Sequence, residues 1–320
     1  MRMTTAGIAL LLAAAVPAVV VGTGAASTAA PAPLSTTAAQ AVVTPAAPSV
    51  LRAAGPVPSS WEGGHAVAVA PRWWPQGKAH ASAAWPALWP KPVAFSPMRK
   101  GPLSGLVIAL DPGHDIGNRN HVSLINKKYW VGLTKTCNTT GTATNAGYPE
   151  ATYNFDVVAR LRRLLVANGA TVVVTRDRNS ASTYGPCVGA RGAFPSQEKA
   201  AFMVQIHADG GPASGRGFHV IAPALYKGYT DDMYVGSRAL GNAMVVGMKT
   251  QGFRPATYLS KVVQIRKDQG GLNTSDVPTV TVETLNMRNS ADARLAMSTA
   301  GRQKVAAALY AGILRYARTR

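Results

Sequence analysis

From about residue 103 onward the apolar positions follow two alternating rhythms. Leu106–Leu110, Thr171–Thr175, Ala201–Asp209, Gly217–Ala222 and Thr279–Glu283 are short apolar or β-branched runs, which predicts strands. Between them apolar residues recur three and four apart. Phe155, Val158, Ala159, Leu161, Leu165 and Val166 predict a helix over 150–167, closed by Asn168-Gly169. Further helices are predicted around 190–199, over 231–250 and over 298–317, the last carried by Val305, Ala308, Leu309, Ile313 and Leu314. Strands alternating with helices make an α/β layered domain with a central sheet, and the segment is long enough to bury one core. Residues 116–149 break the rhythm. They are rich in Gly, Asn and Thr and read as a loop-like insertion.

The first hundred residues obey neither rhythm. Arg2, an apolar stretch over 6–22 and the small residues Gly24-Ala25-Ala26-Ser27 have the layout of a signal peptide ending near Ala26 or Ala29. A retained membrane anchor is the alternative, since the stretch approaches the ~20 residues a span needs. Residues 30–102 then form a low-complexity arm. Its first half is rich in Ala, Pro and Thr, and its second half holds five of the six tryptophans, interleaved with prolines that forbid regular structure. Those tryptophans are expected to dock on the chain's own domain, a glycan or a membrane surface.

Charge and cysteines narrow the setting. A formal net charge of +19 suits adhesion to an anionic cell envelope, with simple solubility as the bland alternative. No nucleic-acid module accompanies it. Cys137 and Cys187 are the only two cysteines, and in an exported chain such a pair most simply forms one disulfide; two free thiols is the alternative. The chain is expected to be secreted or periplasmic, cell-wall associated and monomeric.

Two of the predicted strands end in histidine. Leu110-Asp-Pro-Gly-His114 and Gln205-Ile-His-Ala-Asp209 would deliver His114 and His207 to one sheet edge. Glu150 opens a helix and Glu283 ends a strand. Two histidines and a carboxylate are the set that holds a hydrolytic Zn2+, and a further carboxylate is its usual general base. His114, Glu150 and His207 are therefore candidate metal ligands, and Glu283 the candidate catalytic base. Each has a plainer reading: a hydrogen-bonded histidine, a helix-dipole partner at Glu150, or a buried acid paired with an arginine at Glu283. Asp111 and Asp115 either orient His114 or shape its turn. His121 is a candidate substrate-side group, and His219 reads as structural or surface.

Taken together, Leu110-Asp-Pro-Gly-His114, Glu150 before a helix, Gln205-Ile-His-Ala-Asp209 and Val282-Glu-Thr284 followed by Asn289 resemble, in order, the motifs of the zinc-dependent N-acetylmuramoyl-L-alanine amidases. The resemblance covers most of 105–318. It implies a mixed sheet flanked by helices, a zinc amidase catalytic domain over 103–320, and a peptidoglycan or muropeptide substrate. By the same resemblance His114, Glu150 and His207 bind zinc and Glu283 is catalytic. The implied reaction is hydrolysis of the amide between the lactyl group of N-acetylmuramic acid and L-alanine. Two departures stand out: the segment between His114 and Glu150 is long, and Leu285-Asn286 replaces the Gly-Phe expected after Glu283-Thr284. A secreted zinc peptidase cutting within the stem peptide, and a non-catalytic basic envelope-binding protein, are the rival readings. The long insertion reads as a disulfide-stapled surface loop or as a cover for the cleft.

Overall fold

The computed structural model describes residues 93–320; the expected signal peptide and nearly all of the low-complexity arm lie outside the described residues. The elements run β1 (Val93–Phe95), β2 (Val107–Pro112), α1 (Val122–Ile125), β3 (Lys128–Trp130), β4 (Thr134–Thr136), α2 (Glu150–Ala167), β5 (Thr171–Val174), α3 (Val188–Gln197) and β6 (Phe202–Asp209). They continue with β7 (His219–Pro223), α4 (Tyr234–Thr250), β8 (Val263–Arg266), α5 (Gly270–Asn273), β9 (Thr279–Asn286), α6 (Ser290–Met297) and α7 (Thr299–Ala317). No helix among the described residues is long and apolar enough to cross a membrane.

Seven strands form one mixed sheet in the order β1-β5-β2-β6-β9-β7-β8. Its centre, β5-β2-β6-β9, is parallel, as crossovers through helices require. β1 pairs antiparallel with β5 on one side, and β7 antiparallel with β9 on the other. Strands buried on both faces need continuous apolar runs, and Ile108–Leu110 and Phe202–Val204 are such runs, fully buried.

Both faces are covered. On one, Ile108, Leu110, Val172, Val204, Ile206, Val280 and Val282 share a core with Tyr153, Leu161, Leu240, Met244, Leu309 and Ile313 of α2, α4 and α7. The latter two helices touch backbone to backbone: a Cβ on Gly247 would stand 2.3 Å from the amide nitrogen of Gly312. On the other face Ala109, Val173 and Met203 meet Phe194 of α3. The insertion is not all loop. It forms the β3–β4 hairpin, whose turn residue Val131 packs on Ala193 of α3. A disulfide between Cys137 and Cys187 ties the end of this hairpin to the start of α3.

The sheet also takes in residues before the expected start at Leu103, because β1 hydrogen-bonds to β5. With three residues and a neighbouring proline, β1 carries too little periodicity to show in the sequence. The arrangement sets up the site: β2, β6 and β9 end side by side at the carboxyl edge of the sheet, the usual place for ligands in such folds.

Candidate active site

β2 ends in Asp111-Pro-Gly-His114, and β6 runs alongside it with Asp111 opposite Gln205 and Pro112 opposite Ile206. His114 takes a left-handed backbone, φ 60°. For a residue with a side chain this conformation costs on the order of 1–3 kcal/mol, so the surroundings must hold it. Two buried arginines do so. Arg191 of α3 donates to the carbonyls of Pro112 at 3.0 Å and His114 at 2.7 Å, and pairs with the buried carboxylate of Asp111. Arg176 donates to the carbonyl of Pro112 at 2.9 Å and to that of Ala151 at 2.9 Å, tying the strand end to α2. Burial pushes the Arg176 guanidinium down to about 10.

Gly113 is required by close approach. A Cβ there would stand 2.1 Å from Nε2 of His207, so only glycine lets the two strand ends bring their histidines together. The rings of His114 and His207 lie 4.8 Å apart, edge to face.

Glu150 is the first residue of α2, where the helix dipole favours a carboxylate. It stands between the histidines. Its Oε2 lies 3.2 Å from Nε2 of His114, and its Oε1 lies 2.9 Å from Nδ1 of His207. The backbone N–H groups of Thr142 and Ala208 donate to the same carboxylate at 2.9 and 3.2 Å. Burial alone would raise its pKa; the adjacent His114 and the hydrogen bonds from both histidines overcome this and hold it well below the usual carboxylate range. For His114, burial lowers the pKa, but Glu150 and the Thr139 carbonyl outweigh it and leave it raised. That carbonyl lies 3.0 Å from Nδ1 of His114 and accepts its N–H, which leaves Nε2 turned toward Glu150. One atom from each of the three residues lies within 4.8 Å of the others, a set able to hold a metal ion.

Glu283 is the cross-strand neighbour of His207, on β9. Its Oε2 is buried with no hydrogen-bond partner. Burial, then the negative charges of Glu150 and Asp209, push its carboxyl well above the ordinary range, with Arg266 opposing. His219 of β7 faces it from the other side, so His207, Glu283 and His219 form one row across the sheet. The last member was not legible as part of the site. It is buried, its Nδ1 lies 3.9 Å from Asp209, and Asp209 accepts from the Tyr258 hydroxyl at 2.9 Å. His121, a candidate substrate-side group, lies 2.8 Å from the Gly117 carbonyl through Nδ1 and stacks on Tyr184. Asp115 shapes the turn after His114, accepting from the amide of Gly117 at 3.0 Å.

These groups open into a cleft of about 400 Å³, walled by Lys128 and Thr134–Thr136 of the hairpin on one side and by Gln269–Gly271 on another. His114, His207 and Glu283 share its lining with Asp111, Arg191, Gln205 and Thr281.

The sequence profile of the N-acetylmuramoyl-L-alanine amidases matches residues 108–315, which span every one of these groups. The chain belongs to that family. The amidase is 37% identical over 217 residues to the N-acetylmuramoyl-L-alanine amidase Rv3717 of Mycobacterium tuberculosis, an alignment covering 66% of this chain and 86% of the relative. Its fold is similar to the crystal structure of the amidase Ami1 from Mycobacterium smegmatis, with a TM-score of 0.62 and 35% identity over 68% of this chain and 99% of that one. The apo Ami1 structure from Mycobacterium abscessus gives a TM-score of 0.60 at 34% identity, covering 67% and 99%. The amidase is thus a hydrolase of the peptidoglycan-degrading class, built on the mixed, helix-flanked sheet expected of it.

Proposed function

We propose that this amidase is a zinc enzyme that hydrolyses the amide between the lactyl group of N-acetylmuramic acid and L-alanine, with His114, Glu150 and His207 as ligands and Glu283 as general base. The observation that carries the reading is the donor set. Two imidazoles and one carboxylate converge within 4.8 Å, with a partnerless carboxylate on the neighbouring strand. Nitrogen and oxygen donors in this number suit zinc with a position left open.

When bound, zinc supplies Lewis acidity to the attacking water and to the scissile carbonyl. The chain supplies the rest. The Thr139 carbonyl and the two backbone amides on Glu150 fix the donors in place. Glu283 takes the water proton at its free Oε2 and delivers it to the alanine nitrogen as the C–N bond breaks. A carboxyl raised by burial and neighbouring negative charge is suited to holding that proton between the two steps. The basic surface, +19 over the whole chain, supports action at an anionic cell envelope after export.

Product masses from purified muropeptides test this reading. The expected products are the intact stem peptide and a glycan ending in a free lactyl carboxylate. Cleavage between two amino acids would instead make the protein a peptidase.

A further inference from the structure

We propose that the outer face of the β3–β4 hairpin, centred on Trp130, is a subsite for an N-acetylated amino-sugar ring of the glycan strand. This rests on the peptidoglycan reading of the cleft and extends it to a part of the substrate away from the scissile bond.

Side chains on a ribbon alternate between faces, and directly paired residues share one. Lys128 pairs with Thr136 and Trp130 with Thr134, so these four share a face. Lys128, Thr134, Lys135 and Thr136 all line the cleft, so this end of the hairpin borders it, and Trp130, the direct partner of Thr134, stands beside that border. Tyr129 points the other way and packs against the small cluster of Val131 and Ala193. Trp130 is 53% exposed, so folding leaves much of its indole uncovered.

That ring is nonetheless held. Its Nε1 donates to the Tyr229 hydroxyl at 2.9 Å, and Tyr229 stacks on Tyr226 with ring centres 4.4 Å apart. Tyr226 in turn donates to the carbonyl of Gly132 in the hairpin turn at 2.9 Å. An exposed aromatic plane fixed before a ligand arrives is preorganised, so little ordering entropy opposes binding. The ligand that fits is one with an apolar C–H face and polar edges, which is the surface of a pyranose. Thr134, Thr136 and Lys128 share the hairpin face with Trp130 and offer the hydroxyls and ammonium that hydroxyl and acetamide groups at a sugar's rim would use.

Reach agrees. Thr139 touches His114, and Thr134 lies five residues before it, at most about 17 Å of extended chain. A sugar on Trp130 is therefore within a few residues of the glycan from the muramic acid being cut.

The test uses the full chain and an oligosaccharide of β-1,4-linked N-acetylglucosamine, which has no lactyl amide to hydrolyse, with binding followed by calorimetry. Wild type should bind it, Trp130→Ala should weaken binding about tenfold, and Trp130→Phe should recover most of it. Absence of binding to wild type, or equal binding by wild type and Trp130→Ala, would overturn the proposal. So would displacement of the sugar's effect by L-alanyl-D-glutamate alone. Because the probe cannot be cut, this result is separate from the product masses that test the reaction.

Discussion

Arg191 donates through Nη2 to the carbonyl of His114 at 2.7 Å, so a helix residue fixes the backbone of a candidate metal ligand rather than its ring. The same guanidinium neutralises Asp111, and both groups are buried. Removing one partner strands the other. Arg191→Met is expected to destabilise the fold by about 3–5 kcal/mol. Urea denaturation measures this, and unchanged stability would show that the pair does not hold the turn.

Asp111 also sets an acid limit. Burial raises its pKa, but Arg191, the Thr175 hydroxyl and the charge of His207 more than reverse this, leaving it lowered. A carboxyl with a depressed folded pKa contributes stability above its unfolded value and loses it as pH falls through the folded value. Wild-type stability should therefore decline below about pH 4, and Asp111→Asn should flatten that decline. Thermal midpoints across an acid series decide it.

Gly113→Ala places a Cβ 2.1 Å from Nε2 of His207 and 2.2 Å from its Cε1. The ring must move, and it sits in the donor set. Zinc affinity should fall at least about 10–100-fold while circular dichroism stays near wild type. Retained affinity would mean that the strand ends can part without cost to the site.

Glu283→Gln keeps size and removes the proton acceptor. Turnover should drop about 10²–10⁴-fold with zinc still bound, whereas His207→Ala should lose the metal itself. Elemental analysis beside the rate separates the two. Wild-type turnover in the glutamine variant would remove Glu283 from the reaction.

The disulfide closes a loop with a sequence separation of 50. Chain entropy gives about 4 kcal/mol as the upper figure for its contribution. The double variant Cys137→Ser, Cys187→Ser should lose a large part of that in chemical denaturation, and loss below about 1 kcal/mol would show that the hairpin is held by its packing alone.

Much of this was legible in the chain because long elements carry strong periodicity. The helix over 150–167 falls where its apolar spacing and Asn168-Gly169 put it. His114, Glu150, His207 and Glu283 stood out as polar residues ending apolar runs or opening a helix. The short pieces were hidden: β3 and β4 have three residues each, and β8 has four at an exposed edge. Arg176 and Arg191 were hidden for a different reason. Their value lies in backbone carbonyls they reach across the fold, and carbonyls leave no mark in a sequence. His219 looked like a strand residue because it is one; only sheet order places it beside Glu283.

The four candidate catalytic groups come from β2, α2, β6 and β9, and the stretches between them build most of the sheet and its helices. No fragment of this chain contains a working half of the centre. On the proposed reading, zinc added to the unfolded chain would meet scattered donors, whereas zinc added to the native one would meet three donors already brought together. Metal affinity is for that reason a measure of native population, and the cation should slow global unfolding as well as supply chemistry.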